Sequence, residues 1–380
     1  MAPEPLSGLL VADFSRVLAG PYATMLLGDL GADVVKVERP GTGDDTRHWG
    51  PPWRDGEATY NLGLNRNKRS VVLDLGDPAD RALARTLALR ADVLVESFRP
   101  GLMTGWGLDG DTLRAAGNPG LISCSVTAFG SAGEAAAAMP GYDFLAQAMG
   151  GLMHVTGEPD GRPLKVGAAV VDLVCGLLSA IGILAALRER DATGRGRHVE
   201  TSLMDAVLTA LLNQGTAWVT GGASPMRAGN RHPSITPYET FETADRPLAV
   251  ATGNDRHFRR LAEALGLGHL ADDERFATNA ARVANRDALD TALSAAFARA
   301  GADHWTAALG DAGVPAGPIN DVPAAWALAE SLGLEPIAEA GGLPLPAPPL
   351  RLDGERPAVR LRPPRLDEHG DDVRAWLRSE

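Results

Sequence analysis

Only two cysteines, Cys124 and Cys175, occur in 380 residues. Both lie in apolar stretches, outside any CxxC pair or metal-ligand spacing, so they read as reduced core residues and exclude a disulfide framework. The eight histidines include no HxH or HExxH spacing, which leaves a metal site unsupported. No GxSxG elbow is present, which argues against a serine hydrolase. No run of five or more like charges interrupts the balance of 36 basic and 48 acidic residues, and a net charge of -12 makes nucleic acid and anionic membrane poor partners. The longest apolar run, Leu173 to Leu187, falls short of the roughly 20 residues that cross a bilayer and is interrupted by Gly176, Ser179 and Gly182. A buried helix is expected there, with no membrane partner. The N-terminus, Met1-Ala-Pro-Glu-Pro5, lacks the basic and apolar regions of a secretory signal, so a cytoplasmic location is expected.

What is present is alternation. A strand-like run, Leu9 to Phe14, precedes a helical segment from about Pro21 to Leu30 and a second strand, Asp33 to Glu38. Apolar runs follow at Ser70 to Leu75, Asp92 to Phe98 and Leu121 to Phe129, with a helical pattern over Pro78 to Arg90. Such alternation predicts an α/β fold with a parallel, doubly wound, Rossmann-like sheet covered by helices on both faces. After the apolar helix at about 172–190 come a glycine turn, a short strand and a helix from Ser202 to Thr220. The texture then changes to a strand pair, Tyr238 to Phe241 and Leu248 to Ala251, followed by alanine-rich helices. The expected domains are therefore a large one over 1–220, a small α+β one over 228–320, and a return over 321–380. That return should hold a Pro-rich extended strap, Leu343 to Pro364, and a last helix, Asp371 to Arg378.

The first strand ends in Ser15-Arg-Val-Leu-Ala-Gly-Pro21, with one glycine where a dinucleotide turn needs three, so NAD loses its main support. Gly20-Pro21 still opens a helix whose free N–H groups suit an anion. Arg39, Lys68 and Arg69 flank strands and, as a set, hint at a phosphorylated ligand. Asp172 stands as one carboxylate within about eighteen uncharged residues, a costly placement unless it is used. Two uses are open: an N-cap for the helix that follows, or a nucleophile that attacks an acyl carbonyl. Tyr142 and Asp143, before another apolar helix, offer a hydrogen-bond donor and a second carboxylate or cap.

In order and spacing, Leu6-Ser-Gly-Leu-Leu-Val-Ala-Asp13, Gly20-Pro-Tyr-Ala-Thr-Met25, Leu30-Gly-Ala-Asp-Val-Val-Lys-Val-Glu-Arg-Pro-Gly41, Asn67-Lys-Arg-Ser70, Glu96-Ser-Phe-Arg-Pro-Gly101, Gly141-Tyr-Asp143 and Thr193-Gly-Arg-Gly196 resemble the class III CoA-transferase (CaiB/BaiF) family over nearly the whole chain. The resemblance implies an interlocked homodimer with no tightly bound cofactor, acting on acyl-CoA and a small carboxylic acid. It places the family's nucleophile on Asp172, which would pass through an aspartyl anhydride and an aspartyl-CoA thioester. Tyr142 and Asp143 match active-site positions. The CoA contacts match Arg16, Val17, Leu18, Ala19, Arg39, Leu73, Ser97 and Phe98. Backbone N–H groups of a glycine turn are expected to stabilise the tetrahedral oxyanion.

The chain departs from many members at Gly105 and Pro140, where a basic residue is common, and at Leu18, where formyl-CoA transferases carry glutamine. Gly229 to Tyr238 resembles the branch that handles succinyl-type acids, so Arg231 or His232 is a candidate for pairing with a substrate carboxylate. The rival within the superfamily is α-methylacyl-CoA racemase, which needs two bases and carries histidine where this chain has Tyr142.

Overall fold

The computed structural model describes residues 4–379. Six parallel strands form the main sheet: β1 (Leu10–Phe14), β2 (Asp33–Glu38), β3 (Lys68–Val72), β4 (Val93–Glu96), β5 (Ile122–Thr127) and β6 (His198–Ser202), in the order β3-β2-β1-β4-β5-β6. Alternate residues feed two cores. Val11, Val34, Val93 and Ile122 join one, while Ala12, Val35 and Leu94 join the other. Strands covered on both faces are mostly apolar, which is why these runs show little polar alternation; among the buried exceptions, Asp13 pairs with Lys68 and Lys36 with Asp44.

Helix α1 (Ala19–Asp29) crosses between β1 and β2, and α2 (Pro78–Arg90) covers the opposite face. Asp77 caps α2 by accepting from Ala79 and Asp80 N–H, with Pro78 at the first position, where its missing donor costs nothing. A short helix, α3 (Asp143–Met149), precedes the long α4 (Val170–Thr193), which Gly194 ends in the left-handed conformation at φ 69°. By length and composition alone α4 would span a bilayer, but half of its apolar window is buried within the protein. Its stripe of Val171, Cys175, Ile183 and Leu187 lies in the first core, where each large side chain withdrawn from water contributes about 1.5–3 kcal/mol.

The helix expected over 202–220 is two, α5 (Leu203–Ala210) and α6 (Leu212–Val219). They part where Gln214 N–H donates to Leu211 O at 2.7 Å, three residues back instead of four.

Contacts divide the chain into two compact units. The larger runs to Leu152 and comprises also Lys165–Ala223 and the chain from Glu335 on; the smaller is Met153–Leu164 with Ser224–Leu334. Segment 153–164 thus goes with the small unit although it falls inside 1–220, because Gly229 N–H donates to Gly157 O at 3.0 Å and Arg227 Nη1 to His154 O at 3.0 Å. The small unit holds an antiparallel sheet of β7 (Tyr238–Phe241), β8 (Leu248–Ala251) and β9 (Ala316–Pro318) over packed helices, with Phe241 stacked on Phe297 at 4.8 Å.

The Pro-rich strap opens extended, as β11 (Leu343–Pro346), which pairs with β10 (Ile337–Ala340) just before it; Gly341-Gly342 join the two at φ 58° and 78°, the positive pair that a tight two-residue turn demands. The strap leaves the extended form at a turn bridged by Leu352 and Glu355, where Asp353 and Gly354 have φ 51° and 86°. The last helix, α7 (Gly370–Arg378), returns to the sheet, where Val373 and Leu377 enter the second core.

Candidate active site

Strand order reverses between β1 and β4, and ligands of open α/β sheets bind at the carboxyl ends of strands at such a point. The segments leaving those two strands, Arg16 to Gly20 and Ser97 to Pro100, line a cavity of about 250 Å³ with Asp172 and Tyr142 among its walls.

The loop after β1 holds an unusual conformation. Val17 has φ 71°, the left-handed region, which costs a β-branched residue about 1–3 kcal/mol. Hydrogen bonds from three directions offset that cost. Val17 N–H donates to both Asp44 carboxylate oxygens at 3.3 and 3.2 Å, and Arg16 N–H donates to Ser97 Oγ at 2.9 Å. Lys36, fully buried on β2, donates to Ser15 O at 2.9 Å and pairs with Asp44 at 2.9 Å. Close approach matters as well. A Cβ on Gly20 would lie 2.3 Å from Ser15 Cβ, and one on Gly176 of α4 would lie 2.7 Å from Ala19 O.

Asp172 is the third residue of α4, not its N-cap; that position belongs to Ala169, which has no capping side chain. The cap comes from Asp143, whose Oδ1 accepts from Val171 N–H at 2.8 Å and from Asp172 N–H at 3.2 Å. Asp143 Oδ2 accepts from Gln147 Nε2 at 2.6 Å, and Gln147 Oε1 accepts from Val166 N–H at 2.9 Å. Gln147 is completely buried and so clamps the segment that leads into α4.

The Asp172 carboxylate accepts no hydrogen bond from any described residue, although the residue is only 8% exposed. Burial first, then the charge of Asp143, pushes its carboxyl up to about 7. The same carboxylates act on Tyr60, whose phenol is pushed up to about 12 by burial and then by Asp172, Asp143 and Asp44. A weakly solvated, unbonded carboxylate facing a cavity keeps its lone pairs for an electrophile. Tyr142 stands exposed at the rim.

A second cavity, of about 190 Å³, opens beside the first and shares Arg16 and Phe98 with it. Arg39 and Leu73 line it, and Trp106 packs edge-on to Phe98 at 5.4 Å. Arg16 lies over the Phe98 ring at 5.6 Å.

Of the sequence-derived candidates, Arg16, Val17, Leu18, Ala19, Ser97, Phe98, Tyr142 and Asp172 share the first cavity, and Arg39 and Leu73 join Arg16 and Phe98 in the second. Asp143 lines neither cavity and lies behind Asp172, against the N–H groups that open α4. Lys68 and Arg69 are elsewhere: Lys68 is buried against Asp13 at 3.0 Å and Arg69 pairs with Asp33. Arg231 and His232 belong to the small unit and line neither cavity. Within that unit Arg231 meets Asp290 at 2.8 Å and Glu239 at 3.1 Å. Arg286 donates to His232 O at 2.7 Å, and burial, then Arg286, lowers the His232 imidazole below its usual value. Sequence reasoning missed Lys36, Asp44 and Gln147. The one available signal was a lysine inside the apolar run Val34-Val-Lys-Val37.

A family model described as CoA-transferase family III matches residues 6–370. A succinate–glutarate CoA-transferase of Agrobacterium fabrum is 44% identical over 393 residues, 99% of this chain and 96% of that protein. An acetyl-CoA:oxalate CoA-transferase of Acetobacter aceti is 41% identical over 372 residues, 97% and 95% of the two chains. The crystal structure of a CaiB/BaiF family protein from Brucella suis matches with a TM-score of 0.87 and 44% identity, over 99% of this chain and 100% of that one. The chain is a CoA-transferase and belongs to CoA-transferase family III.

Proposed function

We propose that this chain is a cytoplasmic, interlocked homodimeric enzyme that moves CoA from succinyl-CoA to a second short dicarboxylic acid, with Asp172 as the nucleophile. The observation that carries the reading is the Asp172 carboxylate itself, bare of hydrogen bonds at the wall of a cavity built on the β1–β4 switch point. The dicarboxylate preference rests on the named activity of the Agrobacterium relative. The second cavity suits the nucleotide end of CoA, with Phe98 and Trp106 as apolar walls and Arg16 and Arg39 as cations; the first suits the pantetheine arm and the thioester.

An Asp172 oxygen attacks the thioester carbonyl, the C–S bond breaks, and CoA leaves as a thiolate. The resulting mixed anhydride is attacked by that thiolate at the Asp172 carbonyl, which releases the donor acid and leaves an aspartyl-CoA thioester. The acceptor carboxylate then attacks that thioester and expels the thiolate, which attacks the acceptor's acyl carbon and restores the Asp172 carboxylate. Covalent catalysis thereby divides one exchange into smaller steps. Tyr142 donates a hydrogen bond at the rim, and Asp143 with Gln147 holds the start of α4. A racemase would need a second base, and no histidine among the described residues lines the cavity. Two copies are favoured by the apolar side chains that α4 to α6 leave in water, among them Ile181, Leu212, Trp218 and Val219.

The test is intact mass after incubation with succinyl-CoA and a hydroxylamine or borohydride quench. A modification on Asp172, missing in Asp172→Ala, is the expected result. An unmodified parent that exchanges the α-proton of a 2-methylacyl-CoA in heavy water would overturn the transferase mechanism.

A further inference from the structure

Two arginines at the mouth of the second cavity converge on one carboxylate. Arg39 donates through Nε to Thr42 Oγ1 at 2.7 Å and through Nη2 to Asp45 Oδ1. Arg16 brings Nη1 to 3.5 Å from Asp45 Oδ2. Its Nε is buried and meets no hydrogen-bond acceptor among the described residues, a costly state for a charged donor. Arg16 and Arg39 are each more than a third exposed at the side chain, and Asp45 is 28% exposed. The third cation there, Lys36, is fully buried and committed to Asp44 and Ser15. So, of the cations lining the second cavity, the two that a ligand can reach are those Asp45 already engages.

We propose that Asp45 is a built-in stand-in for a phosphate of coenzyme A: it occupies the anion site made by Arg16 and Arg39, and the incoming phosphate displaces it. The inference rests on the CoA-transferase reading of this cleft. A phosphate brings more charge and three acceptor oxygens to guanidinium forks that a single carboxylate engages incompletely, so it wins the exchange. Asp45 opens a short 3-10 helix whose cap is its neighbour Asp44, through Thr46 N–H, so its side chain is free to swing into water without undoing that turn. The consequence is selectivity. Ligands without phosphate gain nothing from displacing Asp45, and CoA itself binds more weakly than the two arginines alone would allow.

Calorimetric titration of the full-length protein with coenzyme A and with pantetheine, which lacks phosphate, tests this in the parent, Asp45→Ala and Asp45→Asn. Asp45→Ala is expected to bind coenzyme A about fivefold more tightly, the change that losing one or two part-exposed ion pairs corresponds to. Pantetheine affinity should stay put, and the gain should disappear in Asp45→Ala combined with Arg39→Ala. Weaker or unchanged coenzyme A binding in both single variants would overturn the proposal and make Asp45 an organiser of the arginines. An equal gain for pantetheine would overturn it too. A parent that binds no coenzyme A would instead defeat the functional reading, so the two failures are distinguishable.

Discussion

Replacing Asp172 with asparagine should stabilise the protein, and the gain should depend on pH. The carboxyl is buried, unbonded and beside Asp143, and its folded value stands at about 7 against 3.8 for an ordinary aspartate. A raised value means that the folded state holds the proton more tightly than the unfolded chain does. The benefit of the neutral acid is therefore complete below about 3.8, and it is lost progressively as pH rises towards 7. Above that the protein carries an ionised carboxylate at a constant cost. Three pH units at 1.36 kcal/mol each set a ceiling of about 4 kcal/mol. Asparagine mimics the shape of the neutral acid and has no such dependence. Urea or thermal unfolding of the two proteins, without ligand, between pH 5 and 8 is the assay. Asp172→Asn should pull ahead of the parent as pH rises and level off above 7. A stability gap independent of pH, or a parent more stable at pH 8, would refute the reasoning. Such a trade of stability for a reactive group is common at catalytic sites.

Formation of the Asp172 adduct should rise with pH through a midpoint near 7 in the free enzyme, because only the ionised form attacks. Asp143→Asn should move that midpoint down, since the neighbouring charge goes while Oδ1 still caps α4; rapid-quench mass spectrometry reads both. Gln147→Leu strands Asp143 Oδ2 and Val166 N–H, and should cost about 1–3 kcal/mol in urea unfolding while lowering kcat more than it raises KM. Gly176→Ala forces a methyl to 2.7 Å from Ala19 O, which should cost about 1–3 kcal/mol and raise KM for the CoA thioester by displacing the loop that lines its cavity.

The sheet strands were legible because a segment buried on both faces writes itself as an apolar run, and Pro78 to Arg90 because its cap and proline are local. Strand order was not: no spacing says that β4 lies beside β1. Charged residues were legible by type and illegible by partner. Lys68 reads as a ligand group at a strand start, yet Asp13, 55 residues earlier, takes it in the core. Lys36 reads as an anomaly, and only the fold shows that Asp44 completes it under the Val17 turn. The Gly341-Gly342 hairpin was missed because only its second strand, Leu343–Pro346, falls within the Pro-rich segment, where proline masks the strand signal.

Asp172 shows where the division falls most sharply. Its isolation among apolar residues marked it, but the same isolation served a helix cap and a nucleophile equally well. The two roles make opposite demands on the lone pairs: a cap gives them to backbone N–H groups, which lowers basicity, whereas a nucleophile must keep them. One carboxylate doing both would do each poorly. The fold separates the roles by bringing Asp143 across from α3 to accept the N–H groups of Val171 and Asp172. Asp172, in the first turn of α4, is then released from capping and, lying next to the charge that replaced it, becomes more basic. A pair 29 residues apart in the chain carries that arrangement, so neither residue could show it alone.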